Sequence, residues 1–202
     1  MSQIKLKHSG GNSVIIAAPD SNPASDRTLK LPSNADGTVL TTTNPKTGNV
    51  IQVVSTTKND TFSHNSQTPT LITGLTATIT PSSSSNKVKI SVDISCSPSN
   101  SGYTCWFFLY KNGSEISGAT GDAGLSNQDR AFKSCRGADS NTPLNVSGVY
   151  LDSPSTDSAT TYQVYMAVES GITNYINLQA ANANQVYNPR TVSSITLEEV
   201  AA

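Results

Sequence analysis

The chain has 202 residues, a formal net charge of −1 at pH 7 and only 13% charged residues. This balance excludes an electrostatic attraction to nucleic acid or to anionic membrane, and the length suffices for one substantial domain plus an appendage. Serine and threonine make up about a quarter of the residues, which suits strands and turns whose exposed faces are kept polar by hydroxyl groups.

Residues 1–45 carry short apolar runs separated by turn residues. Ile4 and Leu6 alternate with lysines, and Val14 to Ile16 forms a second run after two glycines. Strands of three or four residues bury too little apolar surface to form a core alone. Such a segment either stays disordered or buries its apolar rows against other copies of the chain, and the regular turn residues favour the second option.

A polar segment rich in threonine, with Pro45 and Gly48, predicts a linker, and a second domain at 46–202 follows it. Val50 to Val54 begins that domain. Leu75, Ala77 and Ile79 then alternate with threonines, as expected for a strand with one buried face.

The stretch from Lys87 to Ser117 is the predicted centre of the second domain. Apolar residues occupy every second position from Val88 to Cys96, which is the period of a strand with one dry face. Tyr103 to Tyr110 is apolar almost throughout and contains the only tryptophan, Trp106, which we expect in the core. Asn112–Gly113 is a strong hairpin signal. We predict two hairpins in series within an antiparallel β-sandwich.

After Ile116 the chain is rich in glycine and polar residues up to Asp129, which predicts a long loop. Further strands are expected around Ala131 to Cys135, Val146 to Leu151, Tyr162 to Val168, Ile172 to Leu178 and Val192 to Val200. No window keeps a period of 3.6 residues, so the fold class is all-β with very little helix.

Three cysteines, Cys96, Cys105 and Cys135, form no CxxC motif and leave one unpaired. Cys96 and Cys105 could face each other across the first predicted hairpin, but small buried thiols are the commoner arrangement. The N-terminal residues include charges but no apolar h-region, so we predict no signal peptide and assembly in a reducing cytoplasm. No segment is long and apolar enough to predict a membrane helix.

The sequence from Ile4 to Pro32, with Gly37 to Thr42, resembles the N-terminal segment of fibre proteins of marine phages, cyanophages especially. The second domain resembles the terminal β-domain of such fibres. The resembling pieces are Val50 to Lys58, Leu75 to Lys87, Leu151 to Thr156, Thr161 to Val164 and Ser194 to Ala202.

The resemblance implies a homotrimeric virion fibre or spike with an N-terminal attachment and shaft segment and a jelly-roll-like head. It also implies that the N-terminal segment contacts other virion proteins. The positions expected to make this attachment are Ile4, Leu6, Val14, Ile16, Leu29 and Leu31.

Catalytic signals are weak. The two histidines, His8 and His64, lack metal-ligand spacing, and no GxSxG motif occurs. Glu198 and Glu199 point to opposite faces of a strand, so they cannot act as a pair. We therefore predict no catalytic residues, no metal and no cofactor.

Binding is better supported, because receptor sites cluster on loops held by a rigid scaffold. Aromatic faces together with amides and carboxylates suit sugar recognition. The candidate receptor-binding residues at loop boundaries and on the glycine-rich loop are Tyr103, Asp122, Asp129, Tyr175 and Tyr187.

The favoured hypothesis is a non-enzymatic phage tail fibre or spike whose trimeric head binds a host-surface glycan or protein. The alternatives are a capsid decoration, cement or head-fibre protein and, least favoured, a polysaccharide depolymerase head. None of these hypotheses involves nucleic acid or insertion into a membrane.

Overall fold

The chain divides into two units, Met1–Val39 and Leu40–Ala202. The computed structural model describes residues 3–7, 9–11, 13–17, 45–122, 124–126, 128–137 and 142–202. The domain boundary that we predict between residues 45 and 46 stays a prediction.

Two strands form an antiparallel hairpin in the first unit, β1 (Gln3–Lys7) and β2 (Ser13–Ala17). Its register pairs Ile4 with Ile16 and Leu6 with Val14, so the first two predicted runs are confirmed as strands. Leu29 and Leu31, the other predicted attachment positions, lie outside the described residues.

The described part of the second unit consists of strands in two antiparallel sheets and one short 3-10 helix, Ser117–Ala119. The strands are β3 (Val50–Lys58), β4 (Phe62–His64), β5 (Thr70–Ile79), β6 (Lys87–Pro98), β7 (Thr104–Lys111), β8 (Ser114–Glu115), β9 (Lys133–Arg136), β10 (Leu144–Asp152), β11 (Thr160–Val168), β12 (Asn174–Ile176) and β13 (Ser193–Val200). In the described part of the chain, no helix is long and apolar enough to cross a membrane.

The eight principal strands pair in a nested order, the first with the last, the second with the second to last, and so on. β3 pairs with β13, β5 with β11, β6 with β10 and β7 with β9. Among these eight strands, the first sheet therefore has the order β3-β13-β6-β10, and the second has the order β5-β11-β7-β9. The short strands β12 and β4 extend the first sheet beside β6, and β8 pairs with β7 in the second. This is a long hairpin rolled into two sheets, so the head is an all-β sandwich of the jelly-roll type, as the fold class predicts.

The core lies between the two sheets and is built from their inward rows. β6 contributes alternate residues from Val88 to Cys96, and β11 contributes alternate residues from Tyr162 to Val168. All of these residues are buried, and each strand presents one face because successive side chains point to opposite sides of a sheet. The alternation in the sequence therefore marks the core directly.

The first of the two predicted hairpins is wrong. β6 and β7 lie in different sheets, and residues 99–103 carry the chain across the sandwich. β6 already has neighbours on both sides, β10 and β13. A five-residue connection can span the ~10 Å between sheets, whereas a two-residue turn keeps both strands in one sheet.

The second predicted hairpin is confirmed. Asn112 has φ 49° and Gly113 has φ 81°, and they join β7 to β8 in the same sheet. Both central residues have positive φ, as in the turns that suit the twist of a hairpin.

A buried polar cluster joins the two sheets at one end of the sandwich. Asp152 ends β10 in the first sheet and is 6% exposed. Its carboxylate accepts a 2.7 Å hydrogen bond from the Tyr162 hydroxyl of β11. The same carboxylate forms an ion pair with Lys111 of β7, with 2.9 Å between Oδ2 and Nζ. Burial and the hydrogen bond to Asp152 raise the pKa of Tyr162, so Tyr162 keeps its proton and remains a donor.

Replacing Tyr162 with phenylalanine should therefore destabilise the head. The variant removes a donor from a buried carboxylate, and hydrogen bonds to charged groups contribute about 1.5–3 kcal/mol. We expect the free energy of unfolding in urea to fall by about that amount. Tyr165→Phe is the matched control, because Tyr165 lies on the same strand with its ring on the outer face. Equal losses in the two variants would contradict a specific role of the Tyr162–Asp152 bond.

Candidate functional site

A pocket of about 410 Å³ lies where the long loop after β8 folds back on β7 and β9. Its size falls within the range of small-molecule sites, roughly 300–1,000 Å³. The lining residues come from β7, from β9 and from the loop that precedes β9, and they are Trp106, Gly121, Asp122, Asp129, Arg130, Ala131, Phe132, Lys133 and Ser134.

The loop that carries the pocket is fixed to β7 at both ends. The Ile116 amide donates to the Leu109 carbonyl at 2.9 Å, and the Phe132 amide donates to the Phe107 carbonyl at 2.9 Å. The ends of the loop therefore lie two residues apart on one strand. Loops with close ends that pack on themselves are compact and are frequently functional.

Arg130 holds the two limbs of this loop together. Its Nε donates to the Gly121 carbonyl at 2.8 Å, and the Gly121 amide donates to the Ala131 carbonyl at 3.2 Å. A second guanidinium nitrogen lies 3.4 Å from the Thr120 hydroxyl. The guanidinium thus works as a planar fork that bonds to two neighbouring acceptors.

Trp106 provides the aromatic wall of the pocket, so the prediction that it lies in the core is wrong. The inward residues of β7 are Cys105, Phe107 and Leu109, and Trp106 lies between them on the outer face, half-buried. Because nearly every residue of β7 is apolar, its sequence alone does not show which alternate set faces inward.

Other aromatic rings extend this wall along the outer face of the second sheet. Phe108 is only 7% exposed although it lies on this face. Tyr110 stacks on Tyr165 of β11, with ring centroids 3.7 Å apart and planes at 15°. The outward side chains of β7 are therefore aromatic from Trp106 to Tyr110, and the pocket lies at the Trp106 end of this row.

The charges of the described lining are balanced. Asp122 and Asp129 contribute two carboxylates, and Arg130 and Lys133 contribute two cations. All four residues are exposed. Lys133 also places its Nζ 5.5 Å from the centre of the Phe132 ring, within range of a cation–π contact. The pocket therefore offers donors and acceptors without a strong net field.

The structure brings two of the five predicted receptor-binding residues together. Asp122 and Asp129 line the same pocket. Tyr103 packs against the core, Tyr175 lies on β12 and Tyr187 is 63% exposed on the loop before β13. None of the three tyrosines lines the pocket. Whether any of the five binds a receptor stays a prediction.

Sequence reasoning missed several residues of the pocket, Arg130, Phe132 and Lys133 among them. They follow the glycine-rich loop and have no periodic signal. One clue was available: two basic residues flank a phenylalanine directly after two spaced aspartates. That composition can form a polar site only if the loop folds back, and the folding back depends on hydrogen bonds that sequence does not reveal.

Metal-binding clusters of three or more histidine, cysteine, aspartate or glutamate side chains are absent from the described residues. His64 ends β4, and its Nε2 lies 3.0 Å from the carbonyl oxygen of Thr68 in the loop that follows. His8 lies outside the described residues.

Solved structures of infectious bursal disease virus contain chains with a similar arrangement of strands. The match to the Gt strain has a TM-score of 0.41 and 14% identity, and it covers 95% of this chain and 48% of that chain. The matches to T=1 particles derived from the same virus and to the Gx strain have the same TM-score and identity, and each covers 88% of this chain. They cover 41% and 42% of those chains.

The chain thus spans less than half the length of the chains that it matches. Similarity at this level identifies neither a family nor a function. No protein-family model and no curated protein sequence matches the chain.

Replacing Arg130 with methionine should loosen the pocket loop, because the aliphatic stem remains while the bonds to Gly121 and Thr120 are lost. Losing a charge-assisted bond of about 1.5 kcal/mol corresponds to roughly tenfold faster exchange of the Gly121 amide. Hydrogen–deuterium exchange measures this rate, and Trp106, the only tryptophan, should report a red-shifted emission.

Arg136→Met provides the control, since Arg136 is an exposed basic residue of β9 outside the pocket lining. Unchanged exchange in Arg130→Met, or equal effects in both variants, would contradict the bracing role of Arg130.

Proposed function

We propose that this chain is a structural protein of a phage virion, a trimeric tail fibre or spike whose head binds a host-surface glycan. The resemblance of the sequence to phage fibre proteins supports the virion role. Jelly-roll domains serve both as viral coat domains and as lectins, although the fold by itself does not determine function.

The observation that carries the binding role is the pocket beside Trp106. Sugars are commonly bound by an aromatic ring together with polar and charged groups, and the pocket has a half-buried tryptophan beside two carboxylates and two basic groups. The ring covers the apolar face of a pyranose, and the charged groups bond to its hydroxyls. The loop is fixed to β7 at both ends, which keeps the ordering cost of binding low.

The charge balance selects the class of glycan. Asp122 and Asp129 offset Arg130 and Lys133, so the described lining offers no excess of cations for a sulfated or polyanionic sugar. A neutral hexose or a short neutral oligosaccharide fits both the volume and the charges. Single sites of this size bind weakly, and a trimer would raise the avidity through effective concentration.

Exposed apolar side chains favour a second candidate, a capsid decoration, cement or head-fibre protein. Val149 and Leu151 are 60% and 47% exposed, and they lie two residues apart on β10, so they share one face of the first sheet. Such residues on a protein surface suit contacts with other proteins. Under this candidate the head would bind shell proteins and no glycan.

A glycan array probed with the purified full chain tests the pocket. We expect binding to neutral glycans, a loss of at least tenfold in Trp106→Ala because one stacked ring contributes about 1.5 kcal/mol or more, and a clear weakening in Asp129→Asn. Tyr187→Ala is the control, since Tyr187 is an exposed aromatic residue outside the pocket. Binding that survives in Trp106→Ala but fails in Tyr187→Ala would move the site to the loop before β13.

The same glycans should stay intact after incubation with the protein. Release of shorter oligosaccharides would instead support a depolymerase. Absence of binding to any glycan would favour the decoration protein.

Light scattering tests the proposed trimer. The purified chain should give about three times 21.2 kDa, because the apolar rows predicted in residues 1–45 need other copies to cover them. A variant with Leu6→Ser and Ile16→Ser should show weaker association, and Val186→Ser is a control at an exposed apolar position of the head. A wild-type chain that stays monomeric would contradict the trimer.

A further inference from the structure

Three thiols from three strands meet at one edge of the sandwich. Cys96 lies on β6 of the first sheet, whereas Cys105 and Cys135 lie on β7 and β9 of the second. The Sγ atoms of Cys96 and Cys135 are 3.4 Å apart, and the β7–β9 register places Cys105 opposite Cys135. Cys135 is therefore the centre of the cluster.

All three cysteines are free, with Cys96 and Cys105 buried and Cys135 half-buried. Cys135 is the most exposed of the three thiols, so a reagent reaches it most easily. It contacts Cys96, which is buried in the core. Two thiols in contact from different sheets need only a small approach to reach bonding distance. The structure has the arrangement that sequence favours, three small buried or half-buried thiols. Cys105 lies opposite Cys135 of β9 and not across a hairpin from Cys96.

We propose that Cys135 and Cys96 form an oxidisable pair that closes to a disulfide between the two sheets of the head. The proposal is independent of what the pocket binds. Under the proposed virion role, it would let the head fold with reduced thiols in the host cytoplasm and become cross-linked after release into an oxidising medium.

A low-molecular-weight disulfide is the oxidant by chemical class. The Cys135 thiolate attacks one sulfur of that disulfide, forms a mixed disulfide and expels the other half as a thiol. Cys96 then loses its proton, attacks Cys135 Sγ and expels the second half. Two protein thiols are oxidised, one small disulfide is reduced to two small thiols, and no other reactant is needed.

The local electrostatics favour this order of attack. Hydrogen bonds from Cys105 and Cys96 lower the pKa of Cys135, while the bond to Cys135 and burial raise the pKa of Cys96 and of Cys105. Only a thiolate attacks a disulfide efficiently, so the reachable member of the cluster is also the reactive one.

The cross-link would act on the pocket. Lys133 and Ser134 line the pocket, and Cys135 follows them directly in the sequence. All three lie on β9, a short strand at the edge of the second sheet. Tying this strand to β6 would fasten one wall of the pocket to the opposite sheet. Oxidation should therefore slow hydrogen exchange in β9 as well as raise the melting temperature.

The test is to incubate the full chain with hydroxyethyl disulfide, remove the reagent and count thiols after denaturation. We expect the three thiols to fall to one, the mass to decrease by about 2 Da and Tm to rise by about 5–15 °C, all reversed by dithiothreitol. Chymotryptic mapping should recover Cys135 linked to Cys96, since cleavage after Tyr103 separates Cys96 from Cys105.

Cys105→Ala should oxidise like the wild type, while Cys96→Ala should keep both of its thiols or retain a mixed disulfide. Three thiols in the oxidised wild type would overturn the proposal, as would a link between Cys135 and Cys105 or a dimer cross-linked between chains. If Cys105→Ala fails to fold, the peptide map of the wild type decides alone. None of these outcomes depends on glycan binding or on the trimer.

Discussion

The structure of the head depends on the face-to-face burial of two alternating rows. One row runs along β6 and the other along β11, and each belongs to a different sheet. Each strand has one apolar face, and neither face can be covered within its own sheet. The neighbouring strands of each sheet pair on both sides of these two strands, β10 and β13 beside β6 and β5 and β7 beside β11. The polar cluster around Asp152 then fixes one end of the sandwich, and the thiol cluster around Cys135 occupies another part of its edge.

Sequence predicted well what is decided locally. The alternation from Val88 to Cys96 gave the buried face of β6, and Asn112–Gly113 gave a turn because positive φ is needed at both positions. The partners of the strands within the sheets could not be predicted in this way. The hairpin expected between β6 and β7 does not form, because strand partners in this fold are distant in sequence and local patterns carry no information about them. The side of the sheet on which Trp106 lies could not be predicted for a related reason. An almost wholly apolar strand shows no alternation, so only the register of β7 with β11 determines which of its side chains face the core.

Sequence predicted only part of the candidate site. Asp122 and Asp129 stood out as carboxylates on a loop, and the structure places them on the same pocket. What brings them there is a set of main-chain bonds and the fork of Arg130, and such contacts follow no periodic rule. The aromatic wall was likewise hidden, since an outward tryptophan and a core tryptophan look the same in a strand of this composition. Loops of this kind position chemistry by their closure, which the order of residues alone does not encode.

The nested pairing of strands has a consequence for biosynthesis. Val50 of β3 pairs with Val200 of β13, so the first strand of the head must wait for the last before its edge is covered. Folds dominated by such distant pairs form slowly, since the ends of long loops have to be brought together first. Val50 and Val53 are 51% and 58% exposed even in the finished head. Until β13 is synthesised, the edge of β3 also lacks this partner strand, and it could pair with a neighbouring nascent chain. The hydroxyl-rich composition of the strands would then protect the unfinished protein as much as the finished one.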